Sequence, residues 1–154
     1  MAKSNRKTIS DLIGPTKVDH HAYLVRTGLL NEAVRFFVEE FHWVEYRAPA
    51  KGDWGTARFV RQPNTTSVIQ LSEYLSRPVD LLDCSDDQHL AIAVMIVSAE
   101  EAAGAICNWA IDNDLDQGLS NERANADGSK WFVHIPALFT FALEIVKVEA
   151  FRTS

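Results

Sequence analysis

Hydrophobic and polar positions alternate along the chain in short blocks, and the first of these blocks predict one strand, one helix and three more strands. Lys17–Val25 is predicted to be a strand because aromatic and branched residues recur in it. A helix follows, in which large apolar side chains return at helical spacing: Leu30, Val34, Phe37 and Phe41. Turn-forming stretches then separate three further strands, predicted at Trp43–Ala48, Thr56–Gln62 and Ser67–Tyr74.

The second half of the chain repeats this order. His89–Val97 is predicted to be a strand, and Ser98 with Glu101 forms a capping-box pattern that opens a helix. Three strands again follow: Leu119–Ala124, Lys130–Ile135 and Thr140–Val148. The chain is therefore predicted to contain an internal β-α-β-β-β repeat, which decides its fold class as α+β.

The repeat also predicts the domain organisation. Residues 1–16 are polar and end at Gly14-Pro15, so we expect a mobile leader there. Residues 17–148 are expected to form a single domain, with one repeat at 17–75, a second at 88–148 and a linker at 76–87. Residues 149–154 are the expected tail.

One polar residue stands out on one face of four strands. Successive strand residues point to opposite faces, so the bulky face of each strand is expected to pack on its helix. The opposite face carries a polar residue and mostly small neighbours, which suits a cup that holds a ligand. The four polar residues are His20, Gln70, His89 and Glu144, and the small residues expected to line the same pocket are Ala22, Ser72, Ala91 and Ala142.

These four side chains are candidate ligands of one divalent metal ion. Two imidazoles, one carboxylate and one amide oxygen suit Zn, Ni, Co or Fe(II), and the pattern does not choose among them. His21 is an alternative to His20, because a one-residue slip reverses the face of a strand. Gln70 can instead serve as a hydrogen-bonding amide, and Glu144 can instead pair with an arginine such as Arg58 or Arg123.

The ordered segments resemble the vicinal oxygen chelate superfamily, which includes glyoxalase I, methylmalonyl-CoA epimerase, extradiol dioxygenases and the fosfomycin and bleomycin resistance proteins. The matching segments are VDHHAYLV, AVRFFVEEFHWVEY, SVIQLSEY, QHLAIAV and WFVHIPALFTFALEIV. The resemblance implies two modules whose sheets curve around one cup, metal ligands on the first and fourth strand of each module, and a homodimer. The His, Gln, His, Glu set is most similar to the epimerase and glyoxalase branches. No additional His or Tyr is convincingly placed for oxygen activation, which argues against a dioxygenase.

Composition and charge exclude several classes of protein. The 154 residues include 15 Lys and Arg against 21 Asp and Glu, and this net charge of −6 does not suit a nucleic-acid binder. The apolar run Leu90–Val97 is too short to cross a membrane, and the basic N-terminus lacks the apolar core of a signal peptide. Cys84 and Cys107 form neither a disulfide framework nor a zinc knuckle, so we expect a cytoplasmic protein.

Two functions follow as hypotheses. The first is a metal-dependent isomerase or lyase for a small oxygenated substrate, in which the metal stabilises an enediolate while a carboxylate moves the adjacent proton. Glu144 is then a ligand with a possible base role, Glu45 is a second acid-base candidate, and Trp54 and Trp131 are candidates to line the ligand pocket. The alternative is a non-catalytic protein of the bleomycin-resistance type that binds a drug or metabolite.

Overall fold

The computed structural model describes residues 6–76 and 85–151, and it contains the predicted repeat. The elements of the first half are α1 Ile9–Ile13, β1 His21–Leu24, α2 Leu30–Arg35 with a π-helical segment Phe36–Glu40, β2 Val44–Gly52, β3 Gly55–Arg61 and β4 Val68–Tyr74. Those of the second half are β5 Ser85–Val94, α3 Ala99–Asp112, β6 Ser120–Arg123, β7 Lys130–His134 and β8 Phe141–Lys147.

Each half forms a four-stranded mixed sheet with the same topology. The strand orders are β1-β4-β3-β2 and β5-β8-β7-β6. In both sheets the first strand pairs in parallel with the last, and the remaining pairs are antiparallel. The predicted α+β class and the two β-α-β-β-β modules are therefore confirmed.

One hydrophobic core lies between the sheets and their helices. It contains Leu30, Val34 and Phe37 from the first helical region, Ala103, Ile106 and Ala110 from α3, and the helix-facing residues of both sheets. Aromatic rings connect the modules: Phe36 lies 4.8 Å from Trp109 and 5.7 Å from Phe139, measured between ring centroids. Because these rings are buried together, the packing of one module depends on the other.

The predicted helix start in the second module is correct. Ser98 is the N-cap of α3, and its hydroxyl accepts a hydrogen bond from the Glu101 backbone N–H. This contact satisfies one of the backbone donors that a helix leaves unpaired at its first turn.

Strand β2 departs from a regular ladder at a position that matters for the site. Glu45 pairs with Val60, whereas Arg47 pairs with Phe59, so Tyr46 is an extra residue in a β-bulge. The bulge reverses the alternation of faces after Glu45. As a result Glu45 lies on the helix side of the sheet, with Val60, and Arg47 lies on the opposite side, with Phe59.

Several predicted boundaries differ from the structure. β1 begins at His21 rather than Lys17, and β5 begins at Ser85 rather than His89. The predicted leader contains α1. This helix begins with a capping box between Thr8 and Asp11, and none of its residues is buried. Most of the predicted linker 76–87, including Cys84, lies outside the described residues, as do residues 1–5 of the leader and 152–154 of the tail. Within residues 6–76 and 85–151, no helix is long and apolar enough to cross a membrane.

Replacing Phe36 with Ala should destabilise the whole domain. The side chain is 1% exposed and contacts aromatic rings of both modules, so its loss leaves a cavity in the shared core. We expect the free energy of unfolding to fall by about 3–5 kcal/mol in chemical denaturation. Phe151→Ala is the control, because Phe151 is 56% exposed and its removal should change stability by less than about 0.5 kcal/mol. Similar losses in both variants would contradict the shared core.

Candidate functional site

The face of the first sheet that points away from α2 carries three of the predicted site residues. In β4, Gln70 and Ser72 alternate with the core residues Ile69 and Leu71. Ala22 of β1 pairs with Gln70 in the parallel ladder, so the two side chains share this face. We call this surface the first cup face; its remaining members are Ala57, Phe59, Arg61 and Val68 of β3 and β4 and Arg47 of β2.

His20 joins the first cup face from just before β1. Its ring meets the ring of Phe59 edge-on at 5.8 Å, and Phe59 pairs with Gln70. The Asp19 carboxylate lies 2.7 Å from His20 Nδ1, and this hydrogen bond lowers the pKa of Asp19 below its ordinary value, with a smaller contribution from Arg47. A carboxylate on Nδ1 fixes the tautomer in which Nε2 carries the lone pair, as in metal-binding histidines. This contact therefore favours His20 over His21 as the candidate ligand.

Gln70 is oriented by a neighbour on its own strand. Its Nε2 donates a hydrogen bond to Ser72 Oγ at 2.7 Å, and Ser72 is 3% exposed. The amide nitrogen is therefore occupied, and the carbonyl oxygen, the atom that a cation would bind, takes no part in this contact. The predicted roles of Gln70 as a ligand and as a hydrogen-bonding amide are both compatible with this geometry.

The second sheet presents the other two candidate ligands side by side. His89 pairs with Ala142 and Ala91 pairs with Glu144 in the parallel β5–β8 ladder, so all four share the face that points away from α3, which we call the second cup face. His89 Nε2 lies 3.3 Å from Glu144 Oε2, and the Glu144 side chain is only 14% exposed. Burial of a carboxylate is costly unless it has a partner, and here the partner is an imidazole.

The two arginines that were alternative partners for Glu144 contact other groups. Arg58 forms a bidentate ion pair with Glu45, with both contacts at 2.8 Å, and also donates to Asn31. Arg123 Nη1 donates to the carbonyl of Ala126 at 3.5 Å.

A second histidine that was not among the predicted site residues lies on the second cup face. His134 follows Val133 at the end of β7, and its Nδ1 lies 3.3 Å from Ser120 Oγ. Its ring lies 6.2 Å from Phe132, whose ring in turn meets His89 edge-on at 5.8 Å. Alternation about the buried Val133 could have identified it, since Val133 faces the core and both neighbours must face the cup.

The structure thus brings the predicted ligands together in two pairs. His20 and Gln70 lie on the first cup face, and His89 and Glu144 lie on the second. Among the described residues, no group of three or more His, Cys, Asp or Glu side chains is close enough to hold a metal ion. We call each pair a half-site, because it supplies two potential donors, whereas a protein zinc site has three or four protein ligands.

Of the six predicted pocket residues, four lie on the cup faces and one does not. Ala22, Ser72, Ala91 and Ala142 are placed as predicted by their ladder partners. Trp131, also predicted to line the pocket, instead pairs with Ile145 and packs against the hydrophobic core. Its indole N–H donates to the Gly128 carbonyl at 3.2 Å, which satisfies its one polar atom on the core side.

Trp54 lies at the turn between β2 and β3. Its ring is 5.8 Å from that of Tyr74, which follows Ser72 by two residues on the same face, and it is 37% exposed. It therefore stands at the end of the first cup face, away from the candidate ligands.

Glu45, the predicted second acid-base group, lies on the helix side of the sheet and not on a cup face. The β-bulge places it on the helix side, where its ion pair with Arg58 lowers the pKa of Glu45 below the ordinary value of 4.5. A carboxylate held in this way stays ionised and positions the β2–β3 hairpin against α2.

Solved structures supply the comparison with known proteins, since no protein-family model and no curated protein sequence matches this chain. FosX, a fosfomycin resistance protein of Listeria monocytogenes, is 13% identical with a TM-score of 0.57, over 87% of this chain and 92% of its own. A variant of it has been solved with Mn(II). The trypanothione-dependent glyoxalase I of Leishmania major is 17% identical with a TM-score of 0.54, over 86% and 87%. TnmS3, an antibiotic-binding protein of Streptomyces sp. CB03234, is 12% identical with a TM-score of 0.50, over 88% and 98%.

The chain has the glyoxalase/bleomycin resistance fold. This confirms the resemblance predicted from the sequence at the level of fold. Structures with this fold include an enzyme, a resistance protein solved with Mn(II) and an antibiotic-binding protein, so the fold alone does not choose between the two hypotheses.

Replacing Glu45 with Gln should lower the free energy of unfolding of the protein. The ion pair with Arg58 is partly exposed, so we expect the free energy of unfolding at pH 7 to fall by about 1 kcal/mol. Because the folded-state pKa of Glu45 is lowered, the stabilisation exists above its ordinary value of 4.5 and is lost as the pH falls through the lower folded value. Chemical denaturation of Glu45→Gln, Arg58→Gln and the double variant measures the coupling. Additive losses would contradict the ion pair.

Proposed function

We propose that this protein is a cytoplasmic, homodimeric, metal-dependent isomerase or lyase that acts on a small oxygenated substrate. The observation that carries the proposal is the pairing of His89 with Glu144 at 3.3 Å on the second cup face, matched on the first by the Asp19-oriented His20 beside Gln70. Imidazole, carboxylate and amide donors suit Zn, Ni, Co or Fe(II). The Mn(II) bound by a FosX variant supports a divalent metal in a protein of this fold.

A divalent cation held by these residues would polarise an oxygen of the substrate and stabilise the negative charge that develops when a neighbouring proton leaves. His20 and His89 would supply neutral donors, while Glu144 supplies the only formal charge in the set. Glu144 would also be the candidate to accept that proton, because its carboxylate lies on the same cup face, 3.3 Å from the His89 imidazole. The small residues Ala22 and Ala91 leave room for the substrate beside these groups.

The two half-sites are proposed to meet across a dimer. One chain places two of the candidate donors on each cup face. Strand β1, which follows His20, and strand β5, which carries His89, are edge strands of their sheets. Edge strands with an exposed face are common sites of subunit association. In such a dimer, His20 and Gln70 of one protomer face the partner's His89 and Glu144, and twofold symmetry creates two equivalent sites.

Glu144→Ala should remove the metal without unfolding the protein. Protein purified without chelator or affinity tag is expected to contain about one divalent ion per chain, and the variant close to none, by elemental analysis. His21→Ala is the matched control, because His21 pairs with Ile69 and alternates away from the face of Ala22 and Gln70. Full metal content in Glu144→Ala, with an unchanged elution volume in size-exclusion chromatography, would remove the basis of the proposal.

The dimer can be tested with the same variants in mixture. Equal amounts of the His20→Ala and Glu144→Ala variants are mixed, unfolded and refolded. Half of the dimers that form are then mixed dimers, with one chain of each variant. If ligands come from two chains, each mixed dimer has one site with both defects and one intact site, so about a quarter of the wild-type metal content should return. A site within one chain would restore none.

A second function is favoured by a different observation, an apolar groove on the helix side of the second module. It has a volume of about 260 Å³ and is lined mainly by apolar side chains, including Phe36, Phe41, Ile106, Trp109 and Ile145. Such a groove suits a planar aromatic molecule, which would make this a drug- or metabolite-binding protein, as TnmS3 binds an antibiotic.

Filling this groove should abolish binding of a planar probe if the second function is correct. Ala105, which lines the groove, can be replaced by Trp, and Asn108→Trp on the exposed side of α3 is the control. The fluorescence of ethidium is followed during titration into chelator-treated protein. Binding to wild type and Asn108→Trp but not to Ala105→Trp would support the binding function, and equal behaviour of all three would contradict it.

A further inference from the structure

Two arginines lie on the first cup face, on the strands beyond Gln70. Arg61 of β3 alternates with the core residue Val60 and shares its face with Ala57 and Phe59. Arg47 of β2 reaches the same face because of the β-bulge, and its guanidinium lies 3.9 Å from the centroid of the Phe59 ring. Neither residue is among the candidate metal ligands.

Tyr46 connects the two guanidinium groups. Arg61 lies 5.3 Å and Arg47 lies 6.0 Å from the centroid of its ring. Cation–π contacts of this kind hold a guanidinium in place by its flat face, and its N–H groups then point outward in the plane. The ring of Tyr46 is itself 48% exposed, so it can rotate without any movement of the core.

Arg61 has an unsatisfied hydrogen-bond donor. Its Nε is buried and has no hydrogen-bond partner among residues 6–76 and 85–151. Leaving a buried charged donor without a partner is costly, and in native proteins such a group calls for an explanation, such as a bound ion. An oxyanion is the natural partner, because two of its oxygens match the fork of N–H groups on arginine.

The nearby carboxylates leave this pair of arginines with a positive charge. Asp19 lies 3.8 Å from Arg47 Nη2, and it is also the hydrogen-bond partner of His20. Glu45, the carboxylate nearest to Arg47 in the sequence, is on the other side of the sheet and is paired with Arg58. Of the two guanidinium groups, Arg47 therefore lies near one exposed carboxylate, Asp19, which is also bound to His20.

We propose that Arg47 and Arg61 form a binding site for an oxyanion group of the substrate, a carboxylate or a phosphoryl-type group. The inference rests on the proposed function only in assigning this group to the substrate. Gln70, Phe59 and Arg47 occupy one row across three strands, so the anion site lies roughly 10 Å from the Gln70 half-site, two strand spacings away. The substrate class is therefore an oxygenated molecule with its reacting oxygen at one end and an anionic group several bonds away.

Calorimetric titration of chelator-treated protein tests the site without any metal. The probes are phenylphosphonate and benzoate, which distinguish the two kinds of anion, with benzyl alcohol as the neutral control. Wild-type protein should bind at least one anion and bind benzyl alcohol much more weakly. Arg61→Gln and Arg47→Gln should each weaken anion binding about 10- to 100-fold, since each removes a charge-assisted contact. Arg61→Lys should retain part of the affinity because it keeps the charge.

The controls separate this inference from the proposed function. Arg35→Gln removes the same charge from an exposed helix position and should bind the anions like wild type. Glu144→Ala should lose metal but keep anion binding, whereas Arg61→Gln should keep its metal. Arg47 is 45% exposed, so Arg47→Gln is expected to fold normally even if Arg61→Gln melts at a lower temperature. Equal affinity of wild type and both Gln variants, or equal affinity for benzyl alcohol, would overturn the proposal.

Discussion

Burial of one face of each sheet beneath its helices is the constraint on which the rest of this structure depends. Side chains alternate along a strand, so once Ile69, Leu71, Leu143 and Ile145 are buried in the core, their neighbours must face the opposite side. That requirement places Gln70 and Glu144 on the cup faces without any interaction that selects them. The parallel pairing of the first and fourth strands then brings Ala22 beside Gln70 and Ala91 beside Glu144.

The two half-sites differ in how their carboxylates are stabilised. In each, an imidazole lies against a carboxylate: His20 with Asp19, and His89 with Glu144. Asp19 is 78% exposed, so water solvates it and its role is to orient the ring. Glu144 is largely buried and must obtain its stabilisation from protein groups or from a cation. Under the proposed function, a metal ion would therefore contribute most to the stability of the second half-site.

On the first cup face, a β-bulge determines which charged side chains the face carries. A single extra residue at Tyr46 moves Glu45 to the helix side and Arg47 to the cup side. Without the bulge, regular alternation would place both on one face, and the carboxylate would neutralise the guanidinium. With it, the carboxylate stabilises the hairpin through Arg58, and the arginine remains available beside Phe59.

The sequence by itself determined the order of the elements, the repeat and the faces of most strands, because these follow from local hydrophobic periodicity. It placed Gln70, His89 and Glu144 correctly on the cup faces for that reason, and Ser98 at the start of α3 from capping chemistry. Tertiary structure alone decided the bulge at Tyr46 and the packing of Trp131 against the core. It also decided that Arg61 Nε has no hydrogen-bond partner among the described residues. These features arise where neighbouring strands and rings compete for space, so they depend on residues distant in the sequence. For the same reason, the division of the four candidate ligands into two pairs depends on how the modules pack, which no local pattern encodes.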